Sequence, residues 1–420
     1  MAGALEGVRV LDCTQIIAGP LAGSLLSEMG ADVVKIEPLE GEPWRLQAEI
    51  IPKESRAYLN QNRGKRGIAI DLKHPSASPL REALIGWADV LLTNYRPGVP
   101  EELKIDYATA RAIRPDIIYC ESTAFGKEGP DAQRRGYDIV AQAMSGLTTS
   151  MPNLTNGLPL QVQFAPADVI TGMAMAWGIT AALYHRQRTG EGQAINASLL
   201  LSALSIQAGF KEITALDLEP RAERLSALDE AGQRGATIEE LFELRRSFSP
   251  ELTGNVYYRP YKTKDGYVAV GCLGPGPRAR FRKAVGIRDP RYEEAFVSTP
   301  ENLRDVGERL TQECNAIFET RTTTDWVQYL DGHGIACGPI RFVEELWEDP
   351  QVLANNYIAE YDHTKLGPLR ANAPVVSMSV TPTRVQRAAP ALGEHTDEVL
   401  ASLGFDGSRI ARLRDEGAIG

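Results

Sequence analysis

The stretch GVRVLDCTQIIAGPLAGSLLSEMGADVVKIEP, residues 7–38, decides how the rest of the chain is read. Val8–Leu11 is an apolar run of strand length, and Gly19-Pro20 breaks the chain after it. Leu21–Met29 then has helical spacing, closed by Gly30 as a stop signal. Ala31–Ile36 returns as a second strand. Strand, helix and strand of this size make one βαβ unit, whose crossover is right-handed almost without exception. The pattern continues with Gly67–Leu72 as strand, Pro79–Trp87 as helix, and Asp89–Thr93 and Ile117–Ser122 as strands. Such alternation predicts an α/β fold with a doubly wound parallel sheet.

Residues 169–188 read as the strongest helix, with Asp168 at its N-cap, Arg186 and Arg188 in its last turn, and Gly190 as the stop. The character changes near residue 210. Residues 211–247 are charged and helix-prone, which reads as a connector of one or two helices. Val256–Val270, with Asp265-Gly266 between strand-like runs, reads as a β-hairpin. Helices over Asn302–Phe318 and Thr324–Gly332 complete a smaller α+β unit. A strand is expected over Pro374–Thr383, then two helices on either side of Gly404. The expected domains are 1–205 and 339–420 as the two parts of a large domain, 206–250 as a helical linker, and 251–338 as a small α+β domain.

Composition narrows the function classes. The 420 residues are 43% hydrophobic and 24% charged, enough to bury cores without disulfides. Lys plus Arg (45) against Asp plus Glu (55) leaves −10, which argues against a nucleic-acid partner but leaves room for a local basic pocket. Five cysteines without a CxxC pair read as reduced thiols in a cytoplasmic protein. No basic and then apolar leader opens the sequence, and the apolar stretch Met173–Leu183 is short for a bilayer, so no membrane association is expected.

The usual chemical motifs are missing. No GxGxxG follows the first strand, and there is no GxxxxGK[ST], GxSxG or HExxH. His74, His185, His333, His363 and His395 are far apart, and no metal site is expected. Asp168 remains. A carboxylate at a helix N-terminus usually just caps the helix, for about 1 kcal/mol. The same geometry favours its ionised form, and nearby backbone N–H groups can receive developing charge. A carboxylate so placed can attack an activated acyl group.

Beyond its opening, the chain carries NQNRGKRGIAIDLK (60–73), ADVLLTNYRPGV (88–99), RPDIIYCESTAFGKEGP (114–130), GYDIVAQAMSG (136–146), RTGEGQAINASL (188–199) and LGEHTDEVLASLG (392–404). Together with residues 7–38 these segments resemble the family III CoA-transferases, a family that also holds α-methylacyl-CoA racemase. The resemblance covers nearly the whole chain except about 211–250. It implies a Rossmann-like large domain, a smaller domain, and two chains interlocked as a dimer, either with itself or with a homologous subunit. It also implies that Asp168 is the nucleophile that moves CoA from an acyl-CoA to an acceptor carboxylic acid. No permanently bound cofactor is implied; CoA enters as substrate. By the same resemblance the CoA contacts are Ile17 and Ala18; Ile70, Asp71, Leu72 and Lys73; Asn94, Tyr95 and Arg96; and Arg135, Gly136, Tyr137 and Asp138. Arg135 stands where the family has a lysine, and a guanidinium pairs bidentately with phosphate.

Departures refine this. Formyl-CoA transferase has glutamine at the position of Ile17, arginine at that of Pro38, and a glycine-rich flap whose nearest candidate here is Gly274-Pro275-Gly276-Pro277. These differences point away from formyl or oxalate substrates. The racemase branch has a histidine at the position of Tyr137, and a phenol of ordinary pKa near 10 is a poor base. Epimerisation of 2-methylacyl-CoA is therefore the second reading, and an inactive CoA-binding subunit the third. Tyr257, Tyr258 and Arg259 are candidates for the acid pocket or ordinary hairpin residues, and a dicarboxylate donor such as succinyl-CoA follows by analogy.

Overall fold

In the computed structural model, which describes residues 2–150, 153–207, 210, 213–248 and 254–420, each of the four inner strands of the central sheet serves two cores. Its elements in chain order are β1 (Arg9–Cys13), α1 (Ala18–Glu28), β2 (Asp32–Glu37), α2 (Arg56–Asn62), β3 (Arg66–Ala69), α3 (Ser78–Trp87) and β4 (Val90–Thr93). There follow α4 (Tyr107–Ile113), β5 (Ile118–Thr123), α5 (Asp138–Met144), α6 (Pro166–Thr189), β6 (Ala194–Ser198) and α7 (Leu199–Ser205). The strands lie parallel in the order β3-β2-β1-β4-β5-β6. This is a doubly wound α/β sheet whose direction of winding reverses between β1 and β4.

Successive side chains on a strand face opposite ways, so alternate residues feed opposite layers. Leu11, Val34, Leu91 and Tyr119 join α3, α4 and the C-terminal helices Thr396–Ser402 and Gly407–Asp415 on one face. Val10, Val33, Val90, Leu92 and Ile118 join α1 and α6 on the other. The strand expected to run to Leu72 ends at Ala69, and Ile70 instead bridges to Ile419.

The chain divides into two units, one holding 1–153, 159–212 and 350–420, the other 154–158 and 213–349. The second has antiparallel strands Tyr258–Lys262, Tyr267–Gly271 and Ala336–Pro339, as the Asp265-Gly266 turn anticipated. Its core stacks Tyr261 on Phe318 at 4.0 Å and Phe318 on Trp326 at 4.4 Å. The charged connector is helical over Leu218–Gln233 and Ile238–Ser247, while its residues 211, 212, 249 and 250 lie outside the described ones.

Three expectations need correcting. No strand forms over Pro374–Thr383; the hairpin is Ile358–His363 with Gly367–Asn372, before the prolines that lack a ladder donor. The helix predicted over 169–188 starts at Pro166, so its N-cap is Ala165 and Asp168 is its third residue. Proline's fixed φ and absent N–H suit a first helical position. At 24 residues α6 is also long and apolar enough to cross a bilayer by length and composition, unlike the short stretch read from the sequence. Here Met175, Ile179 and Leu183 bury one side of it against the sheet.

Gly172 sets how closely α1 and α6 approach. A Cβ there would lie 2.7 Å from the Ala18 carbonyl oxygen and 3.0 Å from Leu21 Cβ. Gly172→Ala must push the two helices apart, so we expect a loss of about 1–3 kcal/mol, read as a lower urea midpoint at unchanged slope.

Candidate active site

A cavity of about 460 Å3 opens at the carboxyl ends of β1, β4 and β5, where the strand order reverses. Open α/β sheets bind ligands at this place, because two neighbouring crossovers leave in opposite directions and part the loops. Gln15, Ile16 and Ala18 line it after β1, Asn94 to Pro97 and Val99 after β4, and Ser122 to Ala124 at the end of β5. Arg134 to Tyr137, Asp168 and Leu199 complete the wall.

Asp168 is half-buried at the first turn of α6, with its carboxyl pushed up to about 7. Burial is the main cause, and the nearby Asp138 adds to it. The backbone N–H of Ala18, at the start of α1, works the other way by favouring the ionised form. No lysine or arginine pairs with Asp168 among the described residues. Asp168 therefore exchanges its proton well above the ordinary carboxylate range, near neutrality.

The N–H groups of α6 are already used. Asp138 Oδ1 accepts from Ala167 at 2.8 Å and from Asp168 at 3.2 Å, so a carboxylate from α5 caps α6. Gln142, buried one turn further along α5, donates to Asp138 Oδ2 and binds both backbone groups of Val162 at 2.8 and 2.9 Å. Asp138, an expected CoA contact, is thus buried beneath the cavity wall. The N-terminus of α1 is different. Its N-cap, Ile17, makes no side-chain capping bond, and Ala18 borders the cavity beside Asp168. The backbone donor beside Asp168 is therefore the Ala18 N–H of α1, not the N–H groups of α6 as the sequence suggested.

The other expected residues divide cleanly. Ala18, Asn94, Tyr95, Arg96, Arg135, Gly136 and Tyr137 border the cavity together with Asp168. Ile17 lies outside its lining although both neighbours contribute. Ile70 and Leu72 are core side chains, as their strand pattern also allowed. Asp71 accepts from Lys73 N at 2.9 Å, and Lys73 pairs at the surface with Glu102 at 2.6 Å. Asn94 faces Gln15, with its oxygen accepting from Gln15 N at 2.9 Å and its amide donating to Gln15 O at 2.7 Å. Arg134 pairs with Asp131 at 2.7 Å, whereas Arg96 and Arg135 have no ion pair among the described residues. Two exposed guanidiniums are left for an anion. In the other unit, Tyr257 is a core residue donating to Asp289 at 2.7 Å, and Gly274-Pro275-Gly276-Pro277 begins helix Pro275–Val285.

Sequence reasoning missed Ser122, Thr123 and Ala124, although the switch-point rule applied to β5 points at them. It also missed what lies under the β1–α1 loop. Asp12 and Lys35, neighbours in the strand register, are fully buried on the α1 side of the sheet. Lys65 Nζ lies 2.7 Å from Asp12, Lys35 Nζ lies 3.2 Å from Glu42, and Arg45 Nε lies 2.7 Å from Glu37. Burial opposes ionisation of Asp12, but Lys65 and Lys35 outweigh it and hold the carboxyl below the usual range.

A family model described as CoA-transferase family III matches residues 5–396. Human succinyl-CoA:glutarate CoA-transferase is 31% identical over 420 residues, covering 99% of this chain and 90% of its own length. Formyl-CoA:oxalate CoA-transferase of Rhodopseudomonas palustris (strain TIE-1) is 32% identical over 428 residues, covering 100% and 98%. Among solved structures, Rv3272 of Mycobacterium tuberculosis aligns with a TM-score of 0.74 at 26% identity, over 94% of this chain and 98% of that one. A CAIB/BAIF family protein from Brucella suis aligns with a TM-score of 0.73 at 26% identity, over 96% and 100%.

The raised carboxyl makes a stability prediction with a definite sign. Ionising Asp168 costs folding free energy from about pH 4 upward, with the full cost present above about pH 7. Asp168→Asn should match the native protein in thermal midpoint near pH 4 and exceed it at pH 8. Parallel melting curves across that range check this.

Proposed function

The chain belongs to CoA-transferase family III, and from that premise we propose that it moves CoA between carboxylic acids through a covalent intermediate on Asp168. The observation that carries this reading is an unpaired, half-buried carboxylate with a pKa near 7, beside the open end of α1 in the switch-point cavity. Such a group is a stronger nucleophile than an ordinary aspartate, yet it is still ionised in a useful fraction at neutral pH.

The chemistry balances without a proton donor. A carboxylate oxygen of Asp168 attacks the thioester carbonyl of the donor, the C–S bond breaks, and CoA leaves as thiolate. The product is a mixed anhydride between the donor acid and Asp168. The thiolate then attacks the Asp168 carbonyl carbon, the anhydride C–O bond breaks, and the donor leaves as carboxylate. The acceptor carboxylate attacks the resulting aspartyl-CoA thioester, and the same two steps in reverse release a new acyl-CoA and free Asp168. Each addition places negative charge on a carbonyl oxygen, and the N–H of Ala18 is the donor available to meet it.

We assign CoA to the wall made by Ala18, Asn94, Tyr95, Arg96, Arg135, Gly136 and Tyr137. Arg96 and Arg135 are the phosphate contacts, since neither is committed to a protein carboxylate. The acids are proposed to be dicarboxylates, with succinyl-CoA as the first donor to try. The succinyl-CoA:glutarate and succinate–glutarate transferases among the relatives support that choice. A second copy of the chain is the proposed partner. Met173, Trp177 and Tyr184 lie exposed along one face of α6, Trp177 at 76%, an apolar stripe that suits burial in a dimer.

Incubation with a panel of acyl-CoAs and hydroxylamine, followed by peptide mass analysis, tests the central step. The expected result is a hydroxamate on Asp168, with Asp168→Asn losing at least about 1,000-fold in transfer rate while still binding CoA. Normal turnover by that variant would sink the covalent route. Deuterium wash-in at the α-carbon without an acceptor acid would instead favour epimerisation, and CoA binding without either reaction an inactive subunit. The kcat/KM profile of the native enzyme should have an acidic limb near pH 7, where Asp168 of the free enzyme protonates. Arg135→Ala should raise KM for the acyl-CoA about tenfold at little cost in kcat, as steady-state kinetics would show.

A further inference from the structure

Four successive backbone polar groups of the β1–α1 loop, from Thr14 O to Ile16 N, are held by side chains from other elements. Lys35 on β2 donates to Thr14 O at 2.8 Å. Asn94, after β4, binds both the N–H and the carbonyl of Gln15. Glu42, in the loop after β2, accepts from Ile16 N through Oε2 at 2.6 Å. The other oxygen of Glu42 lies 3.2 Å from Lys35 Nζ and 3.3 Å from Asn62 Nδ2. Glu42 is 2% exposed and touches no part of the cavity wall except through Ile16.

Ile16 itself is strained. Its φ is +73°, in the left-handed region that a β-branched residue almost never adopts. Nothing in the side chain favours that conformation, so the loop around it must impose it. Two residues later Ala18 begins α1, and its N–H faces Asp168. Were Ile16 to relax to negative φ, the chain entering α1 would rotate and Ala18 would no longer address the carboxylate.

We propose that Glu42 is a positioning residue for CoA transfer: by holding the Ile16 N–H it fixes the left-handed turn that presents the Ala18 N–H to the acyl group on Asp168. This inference rests on Asp168 being the acyl acceptor. Glu42 faces Lys35 as well, so its role in the buried ion cluster must be separated from its role toward Ile16. Two conservative variants do this. Glu42→Asp keeps the charge beside Lys35 but draws the acceptor back from Ile16 by one methylene, about 1.5 Å. Glu42→Gln removes the charge and one acceptor, because an amide oxygen turned to the Ile16 N–H leaves the NH2 facing the Lys35 and Asn62 donors.

Glu42→Asp is expected to lower kcat about 10- to 100-fold, leaving KM for the acyl-CoA within about threefold. It should also move the acidic limb of the kcat/KM profile upward, because the Ala18 N–H that favours ionised Asp168 is displaced. Glu42→Gln should lower the thermal midpoint, since Lys35 loses its buried partner, whereas Glu42→Asp should change it little. Ile16→Gly, introduced into Glu42→Asp, should restore at least about fivefold in kcat, since glycine takes positive φ without being held there. Hydroxylamine trapping on the native enzyme decides first whether Asp168 is acylated, so failure of that premise is seen separately. With the native enzyme acylated, an unchanged kcat or an unmoved acidic limb in Glu42→Asp, or no rescue by Ile16→Gly, overturns the role of Glu42. A loss of kcat in Glu42→Asp that only follows a lowered thermal midpoint also overturns it, by making the ion cluster the essential feature.

Discussion

Eight charges on the α1 side of the sheet set the conditions under which this site exists. Lys35, Arg45, Lys65 and Lys365 stand against Asp12, Glu37, Glu42 and Glu54, with Tyr58 donating to Glu37 at 2.8 Å and Arg45 lying 3.6 Å from the Tyr58 ring. All but Lys365 are buried. Four positive and four negative groups close the cluster, which matters because an unpaired buried ion costs several kcal/mol and removal of one partner typically costs about 3–5 kcal/mol. A hydrophobic filling of the same space could give comparable stability. It could not supply directed donors and acceptors to the backbone of Thr14 and Ile16, and the cluster does supply them.

The contrast between Asp12 and Asp168 shows how one fold gives two carboxylates different characters. Both are removed from water, which alone disfavours charge. Asp12 has Lys65 and Lys35 beside it and stays ionised below the usual range. Asp168 has another carboxylate, Asp138, and one backbone N–H, and it rises to about 7. The capping arrangement is what makes this possible. Because Asp138 takes the N–H groups of Ala167 and Asp168, the start of α6 no longer stabilises charge on Asp168 as an open helix end would. The free helix end, α1, comes from a different crossover of the sheet.

Much of this was legible in the sequence, and the omissions have physical reasons. Apolar runs alternating with helical spacing gave the parallel sheet, because strands buried on both faces must be apolar on both. Asp168 stood out because little else in the chain could do chemistry. Its exact station in the helix did not, although Pro166 was there as a first-turn signal and could have moved the N-cap back to Ala165. Lys35 was read as part of an apolar strand, and Glu42 was passed over as a loop residue. Periodicity sees a polar residue on a strand or in a loop and assigns it to solvent. Only the fold shows that Lys35, Glu42 and Lys65, far apart in the chain, meet in a dry space. The core positions Ile70 and Leu72 show the converse, where strand pattern was the better guide to the side chains.

The turn after β1 shows how far this site departs from dinucleotide-binding folds with the same strand order. In those folds glycines let the first loop turn tightly and come close to a pyrophosphate. Here the left-handed position is an isoleucine, so the conformation must be held from outside. Left-handed backbone at a non-glycine residue costs about 1–3 kcal/mol. A hydrogen bond to a charged acceptor contributes about 1.5–3 kcal/mol, so the single bond from Ile16 N to Glu42 is of the size needed to offset it. A glycine would have made the turn easy and also easy to leave. An isoleucine held by a buried carboxylate gives one conformation, with the open end of α1 directed at Asp168.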